Sequence, residues 1–221
     1  MTLYLIRHGE TPYNEKGLLQ GRTDSPLNPS GLLLAKWTGE AFKREGIVFE
    51  KAISSPLMRA RQTTAAILES AGQKDLSVEL DERVIEMSIG TWEGKSAYIG
   101  QSDIDPEQMR LFHTNPFLMD PIEKGETARE VCARTKSFLD DLAANPVSGN
   151  VLVSSHGFAV RALLNPLYDD PTDFWQGSVP LNCSVNILSF RDGKWTFVEK
   201  DKIYYDPKYA VDRYSSPSEN T

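Results

Sequence analysis

The 221-residue chain has only two cysteines, Cys132 and Cys183, and only three histidines. Two thiols cannot build a disulfide framework, and no Cys/His spacing suits zinc, so both read as reduced thiols and no metal is expected. No stretch is long and apolar enough to span a bilayer, so no membrane partner is expected. The first six residues run straight into a polar segment without a signal-peptide apolar region, which makes a cytoplasmic location the expectation. Positive charge is short as well: 24 Lys and Arg against 31 Asp and Glu give a formal net charge of −7. Phosphate-tracking surfaces are basic, so nucleic acid is not an expected partner. Internal repeats and low-complexity tracts are missing too.

What is present is an ordinary globular composition, 40% hydrophobic and 25% charged, enough for one α/β domain over residues 1–221. Residues 3–7 read as a buried strand ended by Gly9. Asn28-Pro29-Ser30-Gly31 resembles a helix start, with Leu33, Trp37 and Ala41 at helical spacing and Gly46 as the stop. "KAISS" reads as a second strand. Ser55 with Pro56 just inside predicts the next helix start, and Ala60, Thr64, Ile67, Leu68 and Ala71 form its core stripe. "LSVEL" is a third strand. Gly125-Glu126-Thr127 opens a long helix with Val131, Thr135, Phe138 and Leu142 inward, stopping near Asn145. "NVLVSS" is a fourth strand, and His156-Gly157 leads into the helix "FAVRALL". Arg191-Asp192-Gly193 joins two further strands as a hairpin.

Residues 95–125 show poor periodicity and many turn formers, so they read as an insertion or lid. Residues from about 207 to 221 read as a flexible tail. Strands alternating with helices predict a mainly parallel central sheet with helices on both faces. A homodimer is compatible with all of this.

In such sheets ligands bind beyond the carboxyl ends of the strands. Four strand ends carry chemistry: Arg7 and His8 after the first, Ser54-Ser55 and Arg59 after the second, Glu86 after the third, His156 after the fourth. Two arginines can fork onto phosphate oxygens, and a helix N-terminus adds unpaired N–H groups. A neutral imidazole at His8 can attack phosphorus. His156 as imidazolium can offset charge on the equatorial oxygens. A carboxyl at Glu86 can protonate the leaving alkoxide and then activate water. Singly, each residue has a plain structural reading: Arg59 a solvated helix residue, Glu86 a surface carboxylate, His156-Gly157 a helix cap. His113, in the insertion, keeps that plain reading because nothing points at it. It is convergence on one sheet edge that argues for a site.

These segments resemble the histidine phosphatase superfamily, the phosphoglycerate mutase-like fold, from Leu3 to about Phe190. "LIRHGET" with Asn14 and "LQGRTDSPLNPSG" look like its N-terminal signature. "ISSPLMRARQTTAAIL", "ERVIEMSIGTWEG", "GET" at 125–127 and "VLVSSHGFAVRALL" continue the pattern. The resemblance implies that His8 is the phosphorylated nucleophile and Glu86 the acid/base; the residues alone leave Glu82 open beside it. It implies a phosphate pocket of Arg7, Arg59 and His156, with Asn14 as a further donor and Gly21 and Gly157 at its edge, and it implies no cofactor.

The family's mutases carry further arginines in the insertion, and Arg and Tyr soon after the acid. This chain offers Lys95, Arg110 and Lys124, with Met87 and Ser88 after Glu86. "GTWEG" is similar to the branch with α-ribazole and broad-specificity phosphatases. The expectation is a metal-independent phosphomonoesterase acting on a small phosphorylated metabolite. The alternatives are a mutase-type phosphotransferase and a phosphoprotein-directed or phosphate-binding module. Tyr98, Phe112 and Phe117 read first as core, with a ring-binding lid as the alternative. Tyr204, Tyr205, Tyr209 and Tyr214 are candidates to pack over the site.

Overall fold

A computed structural model describes residues 1–211. Its centre is a six-stranded sheet ordered β3-β2-β4-β1-β5-β6. The strands are β1 Thr2–Arg7, β2 Phe49–Ser54, β3 Val78–Leu80, β4 Asn150–Ser155, β5 Val185–Arg191 and β6 Lys194–Lys202. The first four run parallel, and β5 and β6 are antiparallel to their neighbours. In β1, Tyr4 and Ile6 point to one face and Leu3 and Leu5 to the other, and all four are buried. A central strand covered on both faces needs such an unbroken apolar run, which is why "LYLI" shows no polar alternation.

The helices are α1 Pro12–Glu15, α2 Pro29–Arg44, α3 Met58–Ser70, α4 Pro106–Thr114, α5 Ala128–Ala144 and α6 Gly157–Leu164. Leu34 and Phe42 of α2, with Ala66 and Ile67 of α3, cover the Tyr4–Ile6 face. Phe138, Leu139 and Leu142 of α5, with Val160 and Leu163 of α6, cover the opposite one. The Asn28 side chain caps α2 by accepting from Gly31 N at 2.8 Å. At α5, Thr127 and Glu130 form a reciprocal capping box.

Two helix details differ from the sequence pattern. The stripe of α2 is rotated: Leu33 is exposed, whereas Leu34, Ala35 and Phe42 are buried. The phase is set where α2 begins, because a Cβ on Gly31 would lie 2.1 Å from the Glu10 carbonyl oxygen. That close approach seats the helix on the loop after β1. Ser55 does not cap α3, which starts later, with Leu57 at the cap position and no side-chain cap. Ser55 Oγ instead accepts from Leu57 N at 3.3 Å.

The 95–125 insertion carries structure of its own. It holds α4 and a 3-10 turn at Pro116–Leu118. Ile104, Met109, Phe112 and Ile122 share a third apolar cluster with Val131, Phe158, Phe174 and Trp175. Residues 207–209 form a 3-10 turn, and Tyr209 packs on Trp37 with ring centroids 4.8 Å apart. Tyr204 packs on Phe42, and Tyr205 Oη donates to the Asn182 carbonyl, so these tyrosines cover α2 and the end of β5 rather than the site. Tyr214 lies outside the described residues. Among them, no helix is long and apolar enough to cross a membrane.

Candidate active site

The ladder registers bring the chemistry-bearing strand ends together. Arg7 pairs with Ser155 across β1 and β4, and Ser54 pairs with Ser154 across β2 and β4. The next residues, His8, Ser55 and His156, therefore leave the sheet side by side, at the edge where parallel sheets bind ligands. The His8 and His156 rings are 5.1 Å apart, centroid to centroid.

His8 is buried, and its Nδ1 lies 2.7 Å from the Gly9 carbonyl oxygen. A carbonyl can only accept, so Nδ1 carries the proton and Nε2 keeps a lone pair. Burial, helped by the charges of Arg59 and Arg7, holds its pKa well below the usual histidine range. The result is a neutral imidazole of fixed tautomer. Two neighbours fix the backbone around it: Asn182 Nδ2 donates to the His8 carbonyl at 2.9 Å, and Gly9 N donates to Thr63 Oγ1 at 3.0 Å.

Asn14 Oδ1 accepts from Thr11 N and Thr11 Oγ1, both at 3.1 Å, and Asn14 lines the cavity. With the oxygen so engaged, the amide's N–H groups are its means of meeting an anion. Arg59 is almost fully buried. Its Nη2 donates to the Gly21 carbonyl at 2.7 Å, its Nη1 to the Thr23 carbonyl at 2.9 Å and its Nε to His156 Nδ1 at 3.1 Å. Burial lowers its pKa to about 10, so it stays cationic at neutral pH. Five N–H groups less these three leave two for a ligand. Gly21 stands at φ 53°, and a Cβ there would meet Ile89 Cγ1 at 2.5 Å, so only glycine lets this loop turn under Arg59.

His156 departs from the expected imidazolium. Because Nδ1 accepts from Arg59, Nε2 carries the hydrogen and donates to Ser55 Oγ at 2.7 Å. Burial first, then the charge of Arg59, pushes its pKa well below the usual range. It sits behind Arg59 and His8 as a neutral relay between Arg59 and Ser55.

The helix N-terminus at the site is that of α6, not of α3. Met58 N at the start of α3 donates to Asp24 Oδ1 at 2.7 Å. At α6, Phe158 N and Ala159 N donate to the Glu86 carboxylate at 3.2 and 3.1 Å, and Met87 N donates to the same group at 2.8 Å. Glu86 is thus held at the positive end of a helix dipole, at the mouth of the cavity.

One cavity of about 80 Å³ gathers Arg7, His8, Asn14, Gly21, Arg59, Glu86 and Gly157, every predicted site residue except His156. Its outer wall is apolar, with Leu19, Met87, Ile89, Phe112, Phe158, Trp175 and Val179, joined by Gln20 and His113. His113 therefore faces the site, against its plain structural reading. Trp175 and Asn182 carried no signal in the sequence, since each lies singly in a loop without a motif of its own; Gln20 and Thr63 lie inside "LQGRTDSPLNPSG" and "ISSPLMRARQTTAAIL", but nothing there sets them apart from their neighbours. Asp105-Pro106 marks the start of α4, where Asp105 Oδ1 accepts from Glu107 N and Gln108 N, both at 3.0 Å, but it does not mark the side on which His113 lies.

The two buried, neutral histidines make stability pH-dependent. Both have folded-state pKa values depressed below the unfolded value of about 6.5, so the unfolded chain binds more protons. Their contribution is complete above about pH 6.5 and is lost as pH falls toward the folded-state values. The melting temperature should therefore drop between about pH 6.5 and 5, before the carboxylates titrate. A His156→Gln variant should flatten that slope, and a flat profile in the native protein would contradict the neutral assignment.

The family model of the histidine phosphatase superfamily (branch 1) matches residues 3–202. A probable phosphoglycerate mutase, GpmB of Yersinia pestis, is 30% identical over 195 residues, 88% of this chain and 87% of that protein. Among solved structures, YhfR of Bacillus stearothermophilus superposes with a TM-score of 0.82 at 28% identity, over 91% of this chain and 97% of that one. A phosphoserine phosphatase from Entamoeba histolytica, solved with phosphoserine, gives 0.71 at 28%, over 90% and 95%. Names of mutases and of phosphatases thus both occur among the relatives. With the family model matching nearly the whole length, the chain belongs to branch 1 of the histidine phosphatase superfamily.

Proposed function

We propose that the protein is a metal-independent phosphomonoester hydrolase that acts on a small phosphorylated metabolite through a phosphohistidine on His8. The observation that carries the choice of hydrolase over mutase is the distribution of cations. Of the cavity-lining side chains only Arg7 and Arg59 are permanent cations, and both lie beside His8. The three basic residues of the 95–125 segment are each turned to a carboxylate: Lys95 to Asp103 at 2.8 Å, Arg110 to Glu107 at 2.5 Å and Lys124 to Glu123 at 3.9 Å. A mutase must hold a second anionic group of its substrate; among the described residues no other cation lines this cavity, and Arg22 beside Glu86 is paired with Glu126 at 3.0 Å.

The residues support the following sequence. The phosphate enters between Arg7, the two remaining N–H groups of Arg59 and the amide of Asn14. The Nε2 lone pair of His8 forms a bond to phosphorus while the bond from phosphorus to the ester oxygen breaks. Glu86, as the acid, gives its proton to that oxygen and the alcohol leaves. Glu86 then takes a proton from water, whose oxygen attacks phosphorus and breaks the bond to Nε2. Inorganic phosphate departs and His8 is neutral again. His156 positions Arg59 throughout.

The test is phosphate release from 3-phosphoglycerate, sugar phosphates, nucleotides and an aryl phosphate, run with EDTA. It is paired with an assay for interconversion of 2- and 3-phosphoglycerate primed by the bisphosphate. Release that EDTA does not slow, with no interconversion, is expected. Interconversion outpacing release would replace the hydrolase by a mutase, and loss of activity with EDTA would remove the metal-independent mechanism.

A further inference from the structure

The cavity wall outside the phosphate end is a built surface. Phe112 of α4 stacks on Phe158 at 5.9 Å with 24° between the planes, and it meets Trp175 edge-on at 6.2 Å. Trp175 Nε1 donates to the Phe112 carbonyl at 2.7 Å, so the indole's one polar atom is already engaged. On the other side His113 Nε2 lies 2.9 Å from the Ala97 carbonyl oxygen. These two bonds hold α4 from both ends of the Phe112-His113 pair.

We infer that the leaving alcohol carries an uncharged ring, seated against Phe112, Phe158 and Trp175, and that His113 Nδ1 accepts a hydrogen bond from a hydroxyl or N–H on that ring. The inference rests on the hydrolase reading and names the substrate class for it. Four observations carry it. The wall adjoins Glu86, the group proposed to face the leaving oxygen, because Phe158 N donates to Glu86 Oε2 at 3.2 Å. Aromatic faces favour planar apolar partners in offset or edge-on contact. His113 lines the cavity, and with Nε2–H committed to Ala97 its Nδ1 is an acceptor only. Burial lowers the His113 pKa, which keeps the ring neutral and unable to attract a second anion. A carboxylate or second phosphate on the leaving group would meet Glu86 and a wall that, among the described residues, is lined by no cation to offset its desolvation, Arg22 beside Glu86 being paired with Glu126.

The experiment compares kcat/KM for benzyl phosphate, its three ring-hydroxymethyl isomers, 4-carboxybenzyl phosphate and glycerol 2-phosphate, all esters of alkyl alcohols with similar leaving-group strength. Benzyl phosphate should exceed glycerol 2-phosphate and the carboxylated ester by at least about tenfold. One hydroxymethyl isomer should exceed benzyl phosphate, and His113→Leu should remove that advantage while Phe112→Ala lowers all ring esters. Equal turnover of the carboxylated ester or of glycerol 2-phosphate overturns the inference and leaves the hydrolase standing. A hydroxymethyl advantage that survives in a folded His113→Leu protein overturns the part assigned to Nδ1. No turnover of any ester, with the native chain equal to His8→Ala, overturns the hydrolase reading itself.

Discussion

Replacing His8 with alanine should lower kcat for every phosphomonoester by at least about 10⁴-fold, as removal of a nucleophile does elsewhere. The size follows from what is lost. Nε2 is the one neutral nitrogen lone pair of the cavity floor whose tautomer is fixed from behind, by the Nδ1 bond to Gly9. Arg7, Arg59 and Asn14 would still bind the ester, so KM should move little while kcat collapses. The fold should survive, because the backbone of residue 8 is tied by its own N–H to the Ser155 carbonyl and by its carbonyl to Asn182. A melting curve close to that of the native chain, beside background turnover, is the expected pair of results. Turnover within a factor of ten of native would remove His8 from the chemistry.

Glu86→Gln should divide substrates by leaving group. For alkyl phosphates kcat should fall by about 10²–10⁴, the usual contribution of a positioned general acid. For an activated aryl phosphate, whose phenoxide needs little help to leave, the fall should stay under about tenfold, limited by the water step. The substitution also disturbs a helix end. Three N–H groups, from Met87, Phe158 and Ala159, converge on two carboxylate oxygens, and an amide offers only one oxygen. A modest loss of melting temperature should therefore accompany the kinetic change, since one of the three N–H groups loses its acceptor. Equal falls for both ester types would mean that Glu86 holds the helix and does not protonate the leaving oxygen.

What could be read in the sequence had a periodic or local cause. β1 and β4 show as apolar runs because both faces are covered, and α5 shows because Val131, Thr135, Phe138 and Leu142 repeat at helical spacing and are buried. The phase of α2 was not legible: Leu32, Leu33 and Leu34 are equivalent by pattern, and only the Gly31–Glu10 contact chooses Leu34. Arg7, His8, Arg59 and Glu86 were legible as polar residues placed after strands that end at one edge. Neutral His156 was not, because its charge state follows from burial and then from Arg59, and its tautomer from bonds to Arg59 and Ser55, 97 and 101 residues away. Asn182 and Trp175 act through long-range bonds, among them those to the His8 carbonyl and the Phe112 carbonyl, which no local pattern encodes. The wall formed by α4 escaped for a related reason. A nine-residue helix whose apolar partners lie on α5, α6 and the following loop has too little periodicity of its own.

The central claim is a covalent phosphoryl group on His8, and the stereochemical course of hydrolysis tests it most directly. A phosphorothioate monoester made chiral with oxygen isotopes would be hydrolysed by the native enzyme in isotopically labelled water, and the configuration of the released thiophosphate determined. Two in-line displacements, one by His8 Nε2 and one by water, predict net retention at phosphorus. Net inversion would mean that water attacks the ester directly and that His8 carries no phosphoryl group.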